Sequence, residues 1–190
     1  MKAKTFHPTL PGMPNQRGSA SRVDRHLSND VLARGLVVGS IGGLLGALAM
    51  ALFGVGIFLM MGRPASQSFS IIGDAVAGLF HTIGVNITGG VSLGIVSYCL
   101  ISLALGILFV VAVSRIDAFR VDSMKKGIGL GILCVEVMSQ PMLAAAAIIL
   151  KMTASTTAQW FGVSFIMHLV YGAVLGAVVS YGLLAAAATR

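Results

Sequence analysis

Residues 35–61 read GLVVGSIGGLLGALAMALFGVGIFLMM, an unbroken apolar stretch without a single charge. A helix of about 20 such residues crosses a hydrocarbon core of about 30 Å. The stretch therefore predicts a membrane span, set at 32–61 from Leu32 to Met61. It is closed by Gly62-Arg63-Pro64, a charge followed by a helix breaker. Three further apolar runs follow at 86–114, 127–150 and 161–187, of which the second holds one acid, Glu136. Arg115 stops the first of these. Lys125-Lys126 and Lys151 bracket the next, and Trp160, an aromatic suited to a membrane interface, precedes the last.

Composition agrees with that reading. The chain has 190 residues, of which 56% are hydrophobic and 10% charged, and its mean hydropathy is +0.93. A soluble domain carries about 25% charged residues. An ordinary soluble globule and a disordered chain are both excluded, and nothing outside the runs is large enough to be a soluble catalytic domain. The expectation is an all-α fold: a four-helix transmembrane bundle at residues 31–190, preceded by a basic tail at 1–30 that contains Pro8, Pro11 and Pro14. Ser28, Asn29 and Asp30 are suited to capping the first helix.

The net charge of +7 is unevenly spread. Lys2, Lys4, Arg17, Arg22, Arg25, Arg34, Arg115, Arg120, Lys125, Lys126 and Arg190 fall on one side of the expected bundle, and Arg63 and Lys151 on the other. By the positive-inside rule both termini and the middle loop are cytoplasmic, in a multi-pass protein of the cell membrane. The charge is thereby accounted for without nucleic acid as a partner. In the first outer loop, Phe69, Ile72, Val76, Leu79, Phe80 and Ile83 recur at helical spacing, with Asp74, Gly78 and His81 on the other face. This predicts a short amphipathic helix in the outer interface, the alternative being an extension of the second span.

Glycine is abundant, at 24 residues, and ordered. Gly35, Gly39 and Gly43 follow one another at four-residue steps, with Gly42 and Gly46 beside them. Gly127, Gly129 and Gly131 open the third span, and Gly172 and Gly176 lead to Ser180 in the fourth. Such rows let neighbouring backbones approach closely. Helices held this tightly are expected to leave no lumen. The rows also suggest a structural or accessory subunit that forms a homo-oligomer or joins a larger membrane complex.

A few polar residues lie within the spans. Glu136 is an intramembrane acid, followed by Ser139, Gln140 and Pro141. It reads either as a proton or cation site, with Gln140, in a small coupled transporter, or as a hydrogen-bonded structural group. His168 starts a row with Gly172, Gly176 and Ser180. A loop at 151–160 would set Glu136 level with Leu175, leaving His168 roughly 10 Å away in depth and nearer to His81. A haem or metal would have only His81 and His168 to use. With no CxxCH, HExxH or carboxylate cluster, no cofactor is expected. Cys99 and Cys134 are separated by roughly 12 Å of depth in the same register, too far for a disulfide.

The segment His168-Leu-Val-Tyr-Gly-Ala-Val-Leu-Gly176 resembles the last helix of an uncharacterised family of small four-helix membrane proteins from bacteria and archaea. Gly46-Ala-Leu-Ala-Met50, His81 before the second span, and Gly127-Ile-Gly-Leu-Gly131 followed by Pro141-Met142 are similar in kind. The resemblance spans about residues 35–185. It implies the fold and a membrane location, with no assigned activity. The basic tail and Glu136 are not part of that pattern.

Overall fold

The computed structural model describes the backbone of residues 17–188 and the side chains of 33 and 35–186; the first part of the predicted basic tail lies outside the described residues. Five helices follow one another: α1 (Arg17–Met60), α2 (Gln67–Thr82), α3 (Val91–Arg115), α4 (Met124–Ile149) and α5 (Ala154–Ala188). A single 3-10 turn at Asp117–Phe119 lies between α3 and α4. Four of the helices contain stretches long and apolar enough to cross a membrane: Gly35–Met60, Val91–Arg115, Met124–Ile149 and Ala154–Ala186.

Two boundaries differ from expectation. Helix α1 already runs from Arg17, so Ser28, Asn29 and Asp30 fall inside it and not at its N-terminus. The last proline of the tail is Pro14, and nothing beyond it forbids helix. Helix α5 starts at Ala154, not at residue 161. Thr153 accounts for the early start. Its Oγ1 accepts the Thr156 N–H at 3.2 Å, the bond of a side-chain N-cap, and its carbonyl accepts the Thr157 N–H at 2.8 Å. The polar run Ser155-Thr156-Thr157 reads as loop, yet it forms the first turn of a helix.

The long helices stand in the order α3, α1, α5, α4, with α2 bridging the open side between α3 and α4 at one end. That end, with Met60, Val91 and Ile149, is called the α2 end; the other is the Arg115 end. Helix α1 is central because it carries two rows of small residues. Gly35, Gly39 and Gly43 face α3, and Gly42 and Gly46 face Leu175, Val179 and Tyr171 of α5. At the Arg115 end the core is dense: Phe109, Val110, Leu175 and Val179 are fully buried. In the loop leading into α4, Asp122 accepts bonds from Lys126 and Ser123, both at 3.1 Å, and these hold its carboxyl below the usual carboxylate range.

Helix α2 is separate from α3, parted from it by residues 83–90. Its buried residues are Ser68, Gly73 and Ala77, a small-residue face that differs from the apolar stripe read in the sequence. Gly73 seats directly on the backbone of Gly90 and Gly94, where a Cβ would come within 2.8 Å of the Gly94 nitrogen. Asp74 Oδ1 accepts the Gly90 N–H at 2.8 Å. Gly90 is the N-cap residue of α3 and has φ +96°, a left-handed conformation suited to glycine. The carboxylate of α2 thus stands where a side-chain cap of α3 would otherwise be, beside the positive end of the α3 dipole. Phe69 meets Tyr98 edge to face at 5.5 Å, and the Tyr98 hydroxyl donates to the Ala47 carbonyl at 2.8 Å. Helices α2, α3 and α1 are joined through that one ring.

Candidate functional site: a cavity at the alpha2 end

One four-residue row on α5 has two contrasting halves. Toward the Arg115 end it is Gly172, Gly176 and Ser180, packed on Gly127 and Gly131 of α4. A Cβ at Gly172 would lie 2.6 Å from Ile132 Cα, and one at Gly131 would lie 2.9 Å from Gly176 Cα. Toward the α2 end the same row continues through His168, Ser164 and Trp160, with no glycine among them, and all three border open space. Close backbone contact at one end is not continued at the other, where a cavity of about 270 Å³ remains. A cavity of about 150 Å³ holds benzene, so this one takes a substantially larger molecule.

All five helices contribute to the wall. Met50 comes from α1, Ile72 and Val76 from α2, and Ile101 and Leu105 from α3. Val135, Met142 and Ala146 come from α4, and Met167 and Tyr171 from α5. The glycine rows stop halfway, so the close packing of the Arg115 end gives way to open space here. Leu79, Met142 and Ala145 line the cavity and are also exposed, Leu79 by 54% and Met142 by 46%. The opening is therefore lateral, between α2 and α4.

The polar atoms of the wall are few. The hydroxyl of Tyr171 donates to the Ser102 carbonyl at 2.9 Å, and that of Tyr98 is committed to Ala47. His168 Nδ1 lies 2.9 Å from Ser139 Oγ on α4, and Ser139 Oγ donates to the Glu136 carbonyl at 3.2 Å. The indole Nε1–H of Trp160 is buried without an acceptor. Buried polar groups are nearly always paired, so an orphaned donor in a cavity wall is unusual.

The short turn between α4 and α5 resets the expected register. His168 is level with Ser139, which leaves Glu136 only about 4.5 Å away in depth at 1.5 Å per residue. The two side chains still do not pair. Glu136 Oε2 accepts from Gln140 Nε2 at 3.1 Å, and Glu136 Oε1 is buried with no partner. Glu136 and Gln140 lie beside the exposed row of Leu133 and Val137, off the cavity wall. His81 is exposed in the last turn of α2 and does not share the wall with His168. Among the described residues no three His, Cys, Asp or Glu side chains gather where they could hold a metal ion. Both cysteines are free.

The glycine rows are occupied within the chain. A Cβ at Gly35 would come within 2.9 Å of Val110, one at Gly39 within 2.6 Å of the Gly106 carbonyl oxygen, and one at Gly43 would overlap the Ser102 carbonyl. Gly176 sits equally close to Gly127 and Ile128. Sequence reading found these rows and His168. It placed Asp74 on a polar helix face without its bond to Gly90, and it missed Thr153, Ser164 and the cavity. The continuation of the His168 row to Ser164 and Trp160 was the available signal.

Fold and site define an all-helical protein with four potential membrane-spanning helices and a laterally open apolar cavity at one end. No known family, curated protein or solved structure matches the chain.

Proposed function

We propose that the protein is a small integral membrane protein of the cell membrane that takes up a lipophilic small molecule from the outer half of the bilayer. The observation that carries this reading is the 270 Å³ apolar cavity with its lateral rim of Leu79, Met142 and Ala145. Ligand sites are concave, mostly apolar, and supplied with a few placed polar groups. Both termini are cytoplasmic in this proposal, supported by eleven basic residues against two. The α2 end then faces outward, α2 lies near the outer interface, and the cavity opens into lipid. Membership of the uncharacterised four-helix family would add the fold and no ligand. An accessory role in a complex is compatible with this reading. Self-association would use a surface other than the glycine rows, which α3, α4 and α5 of the same chain already fill.

Trp160 is the sole tryptophan and stands in the cavity wall, which gives the test. Titrating the detergent-solubilised protein with 1-bromodecane should quench its fluorescence saturably, and decane should reverse the quenching. Quenching that rises linearly with probe, as from partition into the micelle, would sink the proposal.

A second reading, a proton- or cation-coupled transporter using Glu136 and Gln140, is favoured by the buried, unpartnered Oε1 of Glu136. Glu136→Gln is then expected to abolish proton or cation flux in liposomes while leaving thermal stability intact. Unchanged flux in the variant removes this reading.

A further inference from the structure

The bonding of His168 narrows the ligand. The Ser139 hydroxyl has one proton and two neighbours, the Glu136 carbonyl at 3.2 Å and His168 Nδ1 at 2.9 Å. Both contacts are hydrogen bonds at once only if the serine donates to the carbonyl and accepts from Nδ1–H. Donation from serine to Nδ1 would instead leave the Glu136 carbonyl facing a lone pair. The satisfied arrangement has a proton on Nδ1; with the ring in an apolar wall and no carboxylate paired to it, the imidazole is neutral, so Nε2 carries a bare lone pair.

Nε2 has no protein partner among the described residues, and the ring borders the cavity. One turn away on the same row, Ser164 is 5% exposed and also borders the cavity, and its hydroxyl makes no bond within the described protein. Residues four apart on a helix have Cβ atoms about 5–6 Å apart, a gap that a single ligand atom can bridge. The pair therefore offers one acceptor and one donor to the same ligand group.

We propose that the ligand is an apolar molecule bearing a hydroxyl group, an alcohol or phenol, whose O–H donates to His168 Nε2 while its oxygen accepts from Ser164. A ketone or ether oxygen accepts but cannot donate, and would leave Nε2 unpaired. Scaled from the six heavy atoms of benzene in a cavity of about 150 Å³, 270 Å³ holds a chain of about eleven heavy atoms. The inference rests on the cavity being a ligand site.

The experiment is competition against 1-bromodecane quenching of Trp160 by three probes of matched length: 1-decanol, nonyl methyl ether and undecane. Decanol should compete about tenfold better than the ether, the ratio for one buried hydrogen bond. His168→Leu should bring that ratio close to one. Ser139→Ala, a gentler change, frees Nδ1 and lets the proton move to Nε2, so it too should reduce the ratio to near one. Nitrogen NMR of the wild-type protein should show His168 Nε2 unprotonated and Nδ1 protonated. Saturable quenching with equal competition by alcohol and ether would overturn the hydroxyl assignment while leaving the cavity reading in place. So would a protonated Nε2 in the wild type. Absence of any saturable quenching would overturn both.

Discussion

Gly39→Ala is expected to destabilise the protein by about 2–3 kcal/mol, while the same substitution at Gly129 stabilises it by about 0.5–1 kcal/mol. The two sites are chemically identical and differ only in what a methyl group would meet. At Gly39 the new Cβ would lie 2.6 Å from the Gly106 carbonyl oxygen and 2.7 Å from Val110 Cγ2. Backbone cannot step aside as the end of a flexible side chain can, so α1 and α3 must separate and lose contact along their length. At Gly129 nothing lies within 4 Å, and alanine removes only the entropy penalty of a mid-helix glycine. Thermal or denaturant unfolding in one detergent measures the difference. Equal stabilities would mean that the α1–α3 seam is not the close contact described above. If Gly39→Leu dissolved an oligomer while leaving the subunit's own stability intact, the row would belong to an intermolecular contact.

Ala146→Phe should abolish lipophile binding and leave stability unchanged or higher. Ala146 lines the cavity on α4, so the added ring occupies space that a ligand would otherwise take. Filling a cavity restores dispersion contacts that its lining lacks, which is why no loss of stability is expected. The saturable quenching by 1-bromodecane should weaken more than tenfold. Ala144→Phe is the matched control, because Ala144 is exposed and does not line the cavity; binding there should be unaltered. Equal loss in both variants would point to a general effect of added bulk on α4. Retention of binding in Ala146→Phe would place the ligand elsewhere.

The four long apolar helices were readable because crossing a bilayer demands long apolar runs, and residues 35–61, 86–114 and 127–150 deliver them, the last despite Glu136. The glycine rows were readable too, since four-residue spacing fixes a helix face whatever the partner. Which partner each row meets was not readable: Gly42 and Gly46 go to α5 although they stand beside the row that meets α3. The start of α5 was missed because Ser155-Thr156-Thr157 is polar, and the decisive feature is one hydroxyl, that of Thr153, on one N–H. That local bond shortened the α4–α5 connection and moved His168 beside Ser139, so a single cap changed the geometry of the candidate site. The cavity left no trace in composition. It exists because the glycines of the α5 row end at Gly172, and the consequences of that change appear only when α4 is laid against it.

The division of the α5 row into two halves separates two kinds of evolutionary freedom. The residues that hold the bundle are glycines in backbone contact, where any added atom is costly. The residues that shape the cavity are side chains such as Ala75, Ala145, Ala146 and Val76, which project into unfilled space. Substitutions there alter the size and shape of what fits without disturbing the seams. Selection can therefore reshape the cavity one residue at a time on a scaffold whose stability is set elsewhere, and descendants of one such bundle can diverge in what the cavity admits while keeping the same glycine rows.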